Sequence, residues 1–133
     1  MCMILPTEIM ASPSILCVDN QSLVGDVVFK FFKSNGYLVD RAADAQEGWD
    51  KISAAADRFN VLVAEHEMKP FSALELVRRI RDTAYVGRII VHAATLTGME
   101  IAEYRSLSLD ALITAEENAK RLLGVAQAFH GEV

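Results

Sequence analysis

Nothing in the 133 residues spells a glycine-rich phosphate loop, a dinucleotide-binding Gly-x-Gly-x-x-Gly or a nucleophile elbow. Cysteine is nearly absent, and Cys2 and Cys17 match no metal spacing and no disulfide framework. The three histidines, His66, His92 and His130, likewise lack ligand spacing. No apolar run approaches the ~20 residues that span a bilayer. Positive charge is in deficit, with 13 Lys and Arg against 18 Asp and Glu, a net charge of −5 and a pI near 5.1. A nucleic-acid duplex or an anionic membrane needs a basic footprint, so neither is expected as the main partner. The opening stretch carries no basic n-region and is broken by Pro6, Glu8 and Pro13, unlike a signal peptide. Residues 1–13 read as a loose leader, residues 14–131 as one domain, and the cytoplasm as the compartment.

What is present is apolar and evenly punctuated. Hydrophobic residues make up 52% of the chain and mean hydropathy is +0.22, enough for a core without staples. Short apolar runs at 14–18, 37–42, 61–64, 88–93 and 110–113 alternate with amphipathic stretches. Several runs are continuous, as in strands buried on both faces of a parallel sheet. The stretch 22–33 repeats Leu23, Val27, Val28, Phe31 and Phe32 at helical spacing, with Gly36 as a stop. Asp44, Ser72 and Thr97 stand where N-caps would open helices at 44–56, 72–82 and 97–107. A fifth helix is expected over 115–130. Five alternations of strand and helix predict an α/β, doubly wound (βα)5 domain.

Such sheets gather their functional groups at the carboxyl ends of the strands. There the first strand presents Asp19 and Asn20, and the third presents Glu65, His66 and Glu67. Carboxylates converging from two strands form an oxygen-only cluster of the kind that suits Mg²⁺. They are equally ordinary as solvated loop residues. His92 reads as a core or strand-end histidine, and Trp49 and Phe71 as packing residues. The arginines Arg78, Arg79 and Arg81 suit either a solvated helix face or an acidic or phosphate-bearing partner.

The segment 61–81, VLVAEHEMKPFSALELVRRIR, resembles the third strand and following helix of response-regulator receiver domains. Met68, Lys69, Pro70 and Leu74 fit one branch of that family, which reads Asp-x-x-Met-Lys-Pro-Met-x-Gly-hydrophobic. The segment 15–21, ILCVDNQ, resembles the family's first strand and acidic pair. The resemblance implies a flavodoxin-like five-stranded parallel sheet of order 2-1-3-4-5. It also implies an aspartate that accepts a phosphoryl group beside Mg²⁺, read out by a Thr or Ser and a Lys. On this chain the acidic pair falls on Asp19 and Asn20, the acceptor on Glu65, the Thr/Ser on Ala93 and the Lys on Ala115. The aromatic switch position falls on Leu112. A shorter register would put His66 at the acceptor site, but it leaves Met68 and the following segment out of step.

Only Asp19 keeps the usual residue type. Glutamate pushes its carboxylate ~1 Å beyond an aspartate's, a displacement that can cost ~10²-fold in a positioned reaction. Asn20 takes one charge from the metal site, Ala115 removes an ammonium, and Ala93 removes a hydroxyl. The expectation is a stand-alone pseudo-receiver, not an enzyme, with no cofactor and at most weak Mg²⁺ binding at Asp19 and Glu65. Its expected partner is a signalling protein such as a sensor kinase, phosphotransferase or regulator, with a homodimer as a further option. The alternatives are a receiver that still transfers a phosphoryl group with Mg²⁺, and a nucleotide-sensing variant. The working face is expected at 97–130, with Met99 and Tyr104 as exposed anchors.

Overall fold

The computed structural model describes residues 14–114, together with 124, 125, 127 and 128. Five parallel strands form one sheet: β1 (Ser14–Val18), β2 (Leu38–Ala42), β3 (Val61–Glu65), β4 (Arg88–Ala93) and β5 (Ala111–Thr114). Their spatial order is β2-β1-β3-β4-β5, as the resemblance implies. The connecting helices are α1 (Leu23–Ser34), α2 (Ala45–Ala54), α3 (Ala73–Arg81) and α4 (Gly98–Ser106), with a 3-10 turn at Ala56–Arg58. The stretch 1–13 expected as a leader and Ala115 lie outside the described residues, as does most of the stretch 115–130 expected as a fifth helix. Of that last stretch, Gly124, Val125, Gln127 and Ala128 are helical.

Strand pleating divides the core in two. Leu16, Val18, Leu62, Ala64, Ile89 and Val91 face α2, α3 and α4, where Ile52, Leu76, Val77, Ile80 and Tyr104 meet them. Ile15, Cys17, Val61, Val63 and Ile90 face the other way, against Val28 and Phe32 of α1. β1 and β3 are thus buried on both faces, which explains why their sequences run apolar without alternation. Cys17 is a free buried thiol, its pKa pushed up to about 12, first by desolvation.

The expected caps close their helices. Asp44 accepts from the Glu47 N–H at 2.8 Å and Ser72 from the Glu75 N–H at 3.4 Å. Thr97 and Glu100 form a reciprocal capping box. Gly36, at φ 91°, follows α1 in the left-handed region that glycine enters without cost. Two expectations for α1 and α4 need correction. Leu23 and Val27, placed on the inward stripe of α1 by their spacing, are 82% and 58% exposed; Val28 and Phe32 do the packing. Tyr104, expected on the surface, is fully buried. It lies three residues after half-buried Ile101, on the same helical face, and its hydroxyl finds a partner inside.

Candidate functional site

Period-two alternation also sets the site. Following the α1-facing rows to the strand ends brings Asp19, just past β1, after Ile15 and Cys17, and Glu65, the last residue of β3, after Val61 and Val63. On β2 the same face carries Val39 and then Arg41, which pairs in register with Cys17. Four side chains with titratable or charged groups therefore share one edge: Asp19, Arg41, Glu65 and His92, the last in register with Glu65.

Asp19 is 2% exposed and ringed by hydrogen donors. Arg41 grips it as a fork, Nε to Oδ2 at 2.9 Å and Nη2 to Oδ1 at 2.8 Å. Oδ1 also accepts the Gln21 N–H at 2.7 Å, with Gln21 held at φ 64°. The remaining arm of Arg41, Nη1, reaches Asp26 Oδ1 on α1 at 2.8 Å. The guanidinium carbon lies 5.5 Å from the Phe29 ring centroid. Gly25 makes the helix approach feasible: a Cβ there would stand 2.5 Å from the Asp19 carboxyl carbon. Neither Arg41 nor Gly25 stands out in the sequence, because each acts on a residue distant along the chain.

Glu65 sits beside this pair, and no cation among the described residues is paired with it. Ser22 Oγ donates toward its two oxygens, at 3.0 and 3.1 Å, and the Asn20 N–H reaches Oε1 at 3.4 Å. Burial raises the pKa of Glu65, and the hydrogen bonds from Ser22 and Asn20 counter it only in part. The Asn20 side chain turns away and donates Nδ2 to the Glu67 carbonyl at 2.8 Å. His92, 8% exposed, is desolvated down to a pKa of about 4.

The structure brings Asp19, Asn20 and Glu65 together. Ala93 closes β4 one residue beyond His92 and is buried. Leu112 packs against the opposite core with Tyr104. His66 turns toward α4, its Nδ1 2.5 Å from the Tyr104 hydroxyl and its Nε2 3.2 Å from Glu100 Oε2. A carboxylate only accepts, so Nε2 carries a proton toward Glu100. Met99 is 79% exposed, as expected. The three arginines of α3 are engaged within the chain. Arg78 pairs with Glu75 and Glu103, and Arg81 donates to the Leu107 and Ser108 carbonyls. Arg79 pairs with Glu75 and lies 3.9 Å from the Phe71 ring centroid.

Solved structures share this fold. A response regulator receiver protein from Pseudomonas putida superposes with a TM-score of 0.80 at 23% identity, covering 89% of this chain and 98% of that one. A CheY-like receiver domain from Methanospirillum hungatei gives 0.79 at 21% identity, covering 92% and 96%. A Francisella response regulator receiver domain gives 0.81 at 17%, covering 91% and 98%. The fold is that of the response-regulator receiver domains. At these identities the likeness establishes the fold. No family model matches the chain, and no curated protein does. Among the described residues of this receiver fold, no helix is long and apolar enough to cross a membrane.

Proposed function

We propose that this chain is a receiver-fold signalling domain that works by binding another protein, without passing through aspartyl phosphorylation. The acceptor position carries the reading. Glu65 stands there, one methylene longer than an aspartate, with the one Ser22 hydroxyl proton shared between its two oxygens at 3.0 and 3.1 Å. A nucleophilic carboxylate must be aimed at the incoming group, and a ~1 Å misplacement can cost ~10²-fold. Ala93 offers no hydroxyl to bind a transferred phosphate. A protein partner is supported by apolar ground on the surface, where Leu23, Val24 and Val27 are all more than half exposed on one side of α1. With Tyr104 buried, Met99 is the anchor that remains on α4. The partner class implied by the receiver resemblance is a kinase, phosphotransferase or regulator.

The test is incubation with acetyl phosphate and Mg²⁺, followed by intact-mass and peptide mass spectrometry. The expected result is no phosphoryl adduct. Stoichiometric incorporation at Glu65 would overturn the reading and restore a phosphotransfer role.

A further inference from the structure

The receiver resemblance carries an expectation of Mg²⁺ at the acidic pair, and this pocket does not fit it. We propose that the Arg41 guanidinium is the resident cation of the site, taking the place of a divalent metal and fastening α1 to the sheet edge through Asp19 and Asp26. Three of its nitrogens are committed to carboxylates, at 2.9, 2.8 and 2.8 Å. The inference rests on this geometry and is independent of whether the chain is phosphorylated.

The carboxylate oxygens of Asp19 and Glu65 and the carbonyl of Glu67 already accept hydrogen bonds. Both Asp19 oxygens accept from Arg41, the Glu65 oxygens accept from Ser22, and the Glu67 carbonyl accepts from the Asn20 amide. Mg²⁺ demands near-octahedral oxygen ligands, so it would have to strip these bonds. It would also have to enter beside a fixed positive charge. That charge cannot be titrated away, because a guanidinium stays protonated and its hydrogen bonds to the Asp19 carboxylate raise its pKa further. An incidental surface ion pair is a poor description of the contact, since Asp19 is 2% exposed and the grip is two-pronged. The surroundings are shaped to it as well. Gly25 leaves room for the first turn of α1 against the Asp19 carboxyl, and the Phe29 ring flanks the guanidinium.

The decisive comparison uses Mn²⁺ as the probe, titrated by calorimetry into two variants. One is Asn20→Asp with Glu65→Asp, which restores acidic ligands and keeps Arg41; the other adds Arg41→Met. Groups beside a metal change its affinity by about 10- to 100-fold, so the triple variant should bind at least about tenfold tighter. Equal affinities, or binding by neither, overturns the proposal. A second measurement needs no substitution. In the wild-type chain, the Arg41 Nε–H resonance should be protected from exchange and unmoved by Mg²⁺ up to ~10 mM, a range that would saturate a millimolar site. A saturable shift of that resonance, or its loss to exchange, would show the metal displacing the guanidinium and defeat the inference.

Discussion

Two buried carboxylates on one sheet edge have been given opposite treatment. Asp19 faces a guanidinium fork and a backbone N–H; Glu65 faces a hydroxyl and a backbone N–H, both neutral. The first is a compensated charge whose removal would leave Arg41 with Asp26 as its remaining carboxylate partner. The second is a charge tolerated at a cost, its pKa raised by burial. A carboxylate's role at a strand end is therefore decided by what crosses from the neighbouring elements. Here β2 supplies a cation to Asp19, and nothing among the described residues supplies one to Glu65.

The strongest way to break the contrast is Arg41→Met, which leaves Asp19 buried and uncompensated. Removing one member of a buried pair costs about 3 kcal/mol, so a large fall in urea midpoint is expected. A loss below the error of the melt would mean that the fork contributes little. Next comes the acid limb of stability. The folded pKa of His92, about 4, lies below its ordinary value, so the unfolded chain takes up a proton first as pH falls. Stability should drop by roughly 2–3 kcal/mol between pH 6.5 and 4, and His92→Gln should flatten that slope.

The smallest effect sharpens the comparison most directly. Glu65 has a raised folded pKa, so its charge is a burden above that value and none below the unfolded one. Glu65→Gln keeps an acceptor for Ser22 and should stabilise by up to about 1 kcal/mol at pH 7, with the gain vanishing near pH 4. Asp19→Asn should destabilise under the same conditions. Matching signs from the two substitutions, read from chemical denaturation, would erase the distinction between the sites.

Much of this edge was legible beforehand, and the unread parts share one character. Asp19, Asn20 and Glu65 could be named because each ends an apolar run, where α/β sheets expose their functional groups. Arg41 could not, since it looks like any polar residue closing the β2 run and its partner lies 22 residues away. Ser22 reads locally as a cap for α1, accepting from the Gly25 N–H, while its hydroxyl also serves Glu65 across 43 residues. The α1 stripe misled because Leu23 and Val27 keep helical spacing with no sheet beneath them.

The sequence by itself determined the alternation of strand and helix, the doubly wound class and the helix starts at Asp44, Ser72 and Thr97. Those features come from contacts three or four residues apart and from the period of apolar residues, both visible along a chain. Only the tertiary structure decided which charge meets which. Placing β2 beside β1 brings Arg41 to Asp19, and placing α4 over the third strand's end buries Tyr104 against His66. Such pairings depend on strand order and register, which bring together groups that no local spacing relates.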